Sequence, residues 1–161
     1  MRIDNFEKGT EMFRLNQYFW ALQKELLNGG QDHLYSGKLW EEMSPKWEQF
    51  KKDFPDEKEF VSQLTSALLN ETERRAIFNK ENQGISTFGK DSKEYLLYLD
   101  FWNLQKKYYN GDKNNEFTEE FIEQMLDDVL SLPKRHPDLK QFSKDISWAL
   151  IYAIDRRCIE K

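Results

Sequence analysis

The chain contains the same unit twice, and nothing else in it restricts the possible folds so strongly. Shifted by 82 residues, positions 1–79 lie over 83–161 without a gap, with 23 identities in 79 positions, where composition alone gives roughly 5–6%. The matching stretches include 19–29 over 101–111, 55–60 over 137–142 and 73–77 over 155–159. A unit repeated at a fixed offset carries an apolar face that a neighbour must cover. Each half is therefore expected to close against the other.

Within a unit the periodicity is helical. Leu15, Phe19, Leu22 and Leu26 fall on one stripe, answered by Leu97, Phe101, Leu104 and Tyr108, as an amphipathic core helix requires. This first helix is expected to open at Thr10 and Ser92, whose hydroxyls accept from unpaired backbone donors. It is expected to end at Asn28-Gly29 and Asn110-Gly111, where glycine takes a left-handed conformation without strain. The second helix begins near Ser36 and Thr118. Ser44-Pro45 predicts a break inside its first copy, because proline removes a donor and clashes with the preceding turn. The second copy is expected to run unbroken until Pro133. Pro55-Asp56 and Pro137-Asp138 start the third helix, which Arg74-Arg75 and Arg156-Arg157 close at its negative end.

The expected fold class is thus all-α, with six main helices in two three-helix units packed about a pseudo-twofold axis into one globular domain. The units are 1–79 and 92–161, the repeat itself covering 83–161, and the linker is 80–91. The copies differ at 146–154, where the run from Ile146 to Ile154 is apolar nearly all round while its counterpart 64–72 is amphipathic. Such a helix sits centrally in a core or at an interface. The central position is the usual solution in a layered domain; the interface reading gives a homodimer through this helix.

Charged residues make up 33% of the chain, yet aromatics reach 15%, a content that disordered chains lack. The net charge of −5 is shared between the halves, 12 − 15 = −3 over 1–82 and 12 − 14 = −2 over 83–161. Neither half is a basic lobe, so no direct nucleic-acid or membrane partner is expected. No stretch approaches the ~18–20 apolar residues of a membrane span. The N-terminal run has acids where an export signal needs apolar residues, and the single Cys158 fits a reducing compartment. The expected location is the cytoplasm.

Few residues suggest chemistry. His33 and His136 lack the spacing of a metal pair, and loop histidines of this kind mostly face solvent. Cys158, beside Arg156 and Arg157, aligns with Ala76 and reads as an apolar filler. The acids of the second helices, Glu41, Glu42, Glu119, Glu120 and Glu123, read as a solvated face. The sequence holds no phosphate-loop, nucleophile-elbow or zinc motif, so neither cofactor nor metal is expected. Both copies keep Gln23/Gln105, Lys24/Lys106, Glu41/Glu123, Lys58/Lys140 and the arginine pairs. Arg74, Arg75, Arg156 and Arg157 together would form a symmetric four-arginine patch for a carboxylate or phosphate; against this stands the plain role of each pair in capping its own helix and salt-bridging the other unit. Trp40, Trp47, Trp148 and Tyr152 add aromatic anchors of the kind found in protein interfaces. The expectation is a non-enzymatic protein-binding module: a regulator, inhibitor or immunity-type protein. The alternatives are an acidic mimic that blocks a nucleic-acid-binding protein and an enzyme with a site between the units.

Overall fold

A computed structural model describes residues 9–78 and 88–160, the side chain of Glu160 excepted. The first eight residues, part of the run read for an export signal, and most of the expected linker fall outside the described residues. The described chain is all-helical, with no strand. Its helices are α1 (Glu11–Leu27), α2 (Gly37–Asp53), α3 (Lys58–Phe78), α4 (Lys93–Tyr108), α5 (Glu119–Leu130), α6 (Leu132–Arg135) and α7 (Lys140–Glu160). The starts of α4, α5 and α7 lie 82 residues after those of α1, α2 and α3. A 3-10 turn leads into α3 at Pro55–Glu57 and into α7 at Pro137–Leu139.

The expected caps form. Thr10 accepts from the Phe13 amide, Ser92 from Tyr95 and Thr118 from Phe121; Ser36 occupies the cap position of α2 without a side-chain bond. Gly29 and Gly111 have φ of 83° and 91°, and four residues on His33 and Asn115 have φ of 55° and 60°. The same left-handed pair therefore shapes both loops. A Cβ on Gly111 would lie 2.8 Å from the Glu116 carbonyl oxygen, a separation no side chain tolerates, which accounts for the retained glycine.

Two prolines behave differently from the sequence expectation. Pro45 does not break α2, which continues through it to Asp53. Leu39, Met43 and Phe50 bury on the core side both before and after it, while Ser44, Pro45 and Glu41 are exposed. Core packing holds the helix axis, and the unpaired Glu41 carbonyl belongs to the exposed side of the helix. The break comes in the second copy, at Ser131, two residues before Pro133. There the Val129 carbonyl, which a residue at 133 would normally bond, accepts from the buried Ser147 hydroxyl of α7 at 3.1 Å. Pro45→Ala is expected to raise stability by about 2 kcal/mol, since interior proline costs ~3 kcal/mol relative to alanine; the shift of the urea midpoint measures it, and an unchanged or lower midpoint contradicts it.

The core is continuous across both halves. The most extensive helix contact is α3 with α7. They run antiparallel: Arg74 near the end of α3 meets Asp145 near the start of α7 at 3.5 Å, and Arg157 near the end of α7 lies 3.9 Å from Glu57 just ahead of α3. Helix α7 is central, with Ile146, Leu150 and Ile154 buried and only Trp148 and Tyr152 of this stretch exposed. Phe19 packs on Phe142 with ring centroids 6.4 Å apart, and Phe60 on Phe101 at the same 6.4 Å. Each contact becomes the other when the halves are interchanged, as a twofold relation between them requires.

Retained polar residues have packing reasons. Lys24 lies over Trp20 at 5.9 Å and Lys106 over Trp102 at 5.9 Å, the same cation–π contact one turn apart. Gln105 exchanges hydrogen bonds of 2.7 and 2.8 Å with the buried Asn16 of the other half. Other contacts survive with reversed charge. Glu25 pairs with Lys46 in the first half, and the shifted positions hold Lys107 and Asp128, 3.5 Å apart.

Candidate functional site

The antiparallel course of α3 and α7 sends the two arginine pairs to opposite ends. Arg156 shares a hollow with Ser62, and the 12 residues from there to position 74 (74 − 62) span roughly 18 Å of helix. The four-arginine patch is therefore not formed. Arg74 bonds Glu71 at 3.1 Å and Asp145 at 3.5 Å, and Arg75 bonds Glu71 at 2.7 Å. Arg157 is buried. Its Nε donates to the Tyr109 carbonyl at 3.0 Å, its Nη2 to Asn110 Oδ1 at 2.8 Å, and its guanidinium lies 4.3 Å from the Tyr109 ring centroid. The Tyr109 hydroxyl in turn donates to Glu57 at 2.5 Å. Among the described residues Arg156 alone of the four has no hydrogen bond or ion pair.

Arg156 borders a hollow of about 540 Å³ between α2, the start of α3 and the end of α7. Its charged rim comprises Lys51, Lys52, Lys58 and Arg156 against Glu48 and Glu59, four positive charges and two negative, or +2 in a chain of −5. Lys51 lies 3.9 Å from Glu48. Lys52 and Lys58 make no ion pair among the described residues. Ser62 and Gln63 form the wall nearest α7, and the Gln63 Oε1 atom is buried without a hydrogen-bond partner.

The same two residues also line a second, smaller hollow of about 300 Å³ further along α3. There Trp148 and Tyr152 stand 38% and 49% exposed with ring centroids 5.8 Å apart. Their counterparts under the 82-residue shift are Ser66 and Asn70, which face them across the groove. Large rings on α7 thus overhang small polar residues on α3. Sharing Ser62 and Gln63, the two hollows adjoin as a trough along the α3–α7 pair, one end lined by the two rings and Asp145 and the other by the cations. Trp40 and Trp47 meet at a tilt with ring centroids 6.4 Å apart, are half-buried against the core and line neither hollow.

The other singled-out residues take structural places. His33 is exposed and its Nδ1 lies 2.9 Å from Asn28 Oδ1. His136 is not solvent-facing as expected: its side chain is 13% exposed, with Nε2 2.8 Å from Asp100. Arg135 binds the same carboxylate through Nε at 2.9 Å and Nη2 at 3.2 Å. Among the described residues no group of three or more His, Cys, Asp or Glu is arranged to hold a metal ion, and no helix is long and apolar enough to cross a membrane.

Burial alone would raise the Asp100 carboxyl, but the hydrogen bonds from Arg135 and His136 outweigh it and hold its pKa below the ordinary 3.8. A depressed folded-state pKa contributes stability that is complete above the unfolded value and is lost as pH falls through the folded value. Asp100→Asn is therefore expected to flatten the acid limb of the stability curve below about pH 4. The change stays under ~1 kcal/mol because the pair is partly solvated. Urea titrations at pH 3 to 7 check this, and an unchanged acid limb contradicts it.

Sequence reasoning missed Lys52 and Gln63 and gave Lys58 no role. The available signal was the second copy, which keeps Lys134 and Lys140 but has Asp145 in place of Gln63. A scan against protein-family models, a search among curated proteins and a search among solved structures each find no significant match.

Proposed function

We propose that this chain is a non-enzymatic protein-binding module of the cytoplasm whose contact surface is the outer face of the α3–α7 pair. The observation that supports it is the Trp148–Tyr152 pair, two neighbouring large rings left exposed on a stretch of α7, residues 146–154, that is otherwise buried. An exposed pair of neighbouring aromatic rings beside a groove is a usual anchor of a protein contact. Its cost in exposed apolar surface has no compensating role in the packing of this chain.

The test is capture. The immobilised chain is incubated with nuclease-treated lysate of the cells that make it, beside Trp148→Ala/Tyr152→Ala. Both rings are partly covered, so a thermal melt of the double variant is run alongside to show that it still folds. One stoichiometric protein is expected on the wild type and at least ~10-fold less on the variant, as loss of two aromatic anchors implies. Equal capture by both chains, or no specific protein on either, overturns the reading.

A further inference from the structure

The basic hollow has a built-in comparison in the other half of the chain. Under the 82-residue shift Lys52 corresponds to Lys134, Lys58 to Lys140 and Arg156 to Arg74, so the three cations occur in both copies. The position between them differs. In the second half it is Asp145, which binds Arg74 at 3.5 Å. In the first half it is Gln63, which carries no charge; among the described residues Arg156 has no ion pair and the buried Gln63 Oε1 has no donor. One substitution thus separates a neutralised arginine from an available one.

We propose that the hollow bordered by Lys52, Lys58 and Arg156 anchors an acidic segment of a partner protein, and that an apolar side chain of the same segment lies on Trp148 and Tyr152. This rests on the protein-binding reading and assigns the partner's chemistry. Carboxylates meet the three cations, Arg156 offering a planar fork for one of them. The trough extends from the level of Lys58 to that of Asn70, 12 residues (70 − 58) and roughly 18 Å of helix, which an extended segment covers with five or six residues.

Charge favours a short acidic peptide over a nucleic acid. Glu48 and Glu59 sit on the rim among the cations, and the net +2 is confined to one hollow. A phosphate backbone needs a track of several cations to gain from counterion release, whereas two or three carboxylates match what the hollow offers. Screening over about 8 Å at physiological salt lets the hollow act locally despite the net negative chain.

The experiment pans a displayed library of random linear peptides on the wild-type chain and then measures a synthetic form of the most enriched sequence by fluorescence anisotropy. Four comparisons are run: Gln63→Asp, Lys58→Glu/Arg156→Glu, Trp148→Ala/Tyr152→Ala, and an oligothymidylate competitor. Enriched peptides are expected to carry at least two Asp or Glu and one large apolar side chain within six residues. Gln63→Asp, which copies the pairing of the second half, is expected to weaken binding ~10-fold, and the double charge reversal more, as lost charge complementarity predicts. Thermal melts of all variants should match the wild type, which separates lost binding from lost folding. Enrichment without acidic bias, or binding indifferent to Gln63→Asp and to the charge reversal, overturns the proposal. Tighter binding of oligothymidylate overturns it in favour of a nucleic acid, and a dimer that Trp148→Ala abolishes overturns it in favour of a second copy. A lysate partner held equally by wild type and Gln63→Asp overturns the acidic anchor alone, while absence of any partner on the wild type removes the protein-binding reading itself.

Discussion

Phe101→Ala is expected to cost about 4 kcal/mol, within the range for emptying a fully buried phenylalanine site. That is a large part of the ~5–15 kcal/mol that holds an ordinary domain together. Phe101 is 1% exposed and meets Phe60 of the other half; Phe19 is 1% exposed and meets Phe142. Each ring therefore fills space between the halves, and its loss loosens the contact that both need. Phe19→Ala should cost a similar amount, because its surroundings are those of Phe101 with the halves exchanged. Double-mutant cycles sharpen the point: Phe60/Phe101 and Phe19/Phe142 should each show a coupling of roughly 0.5–1.5 kcal/mol. Urea unfolding followed by tryptophan fluorescence and by circular dichroism provides the measurement. Coincident single transitions are expected; two separated transitions, or additive losses in both cycles, would refute a core shared by the halves.

Arg157→Met is expected to cost about 3–5 kcal/mol, the range for removing one member of a buried ion pair. Arg157 is 9% exposed and Glu57 7%, and the guanidinium also holds the Tyr109 carbonyl and Asn110. Methionine retains the volume but takes the guanidinium away from the Glu57 carboxylate. The second half supplies the control, because the position matching Glu57 is Leu139, itself buried. Glu57→Leu combined with Arg157→Met should therefore cost less than Arg157→Met alone, since an apolar pair of similar volume replaces a buried charge pair with little loss. Arg74→Met, at a half-exposed site, should cost no more than ~1 kcal/mol. If Arg157→Met is equally mild, the cluster contributes nothing beyond a surface pair.

The helices were legible because the signals that set them are local. Thr10, Ser92 and Thr118 cap where a hydroxyl precedes a periodic stretch, and Gly29 and Gly111 stop where backbone geometry admits no other residue. Pro45 was misread because its effect depends on what flanks the helix: apolar residues on both sides of it reach one core, so packing overrides the local cost. The break near Pro133 also depends on a distant residue, Ser147, whose hydroxyl takes the orphaned carbonyl. The arginines failed as a patch for a related reason. Their spacing along the chain is symmetric, but antiparallel packing of α3 and α7 converts equal positions in sequence into opposite ends in space. The hollow escaped notice because its walls come from three helices, and because the informative change, Gln63 against Asp145, is a difference between the copies rather than a similarity. The reversal from Glu25–Lys46 to Lys107–Asp128 was likewise written in the two copies, visible once paired positions are compared instead of single ones.

Two identical subunits would have to accept every substitution twice, once in each. Here the halves share a single polypeptide, so a change can be made on one side only. Trp148 corresponds to Ser66 and Gln63 to Asp145, so the trough has a distinguishable left and right. A symmetric cleft would accept a bound chain in either direction, or two of them at once. On the proposed reading, this one would set a single polarity for the segment that lies in it.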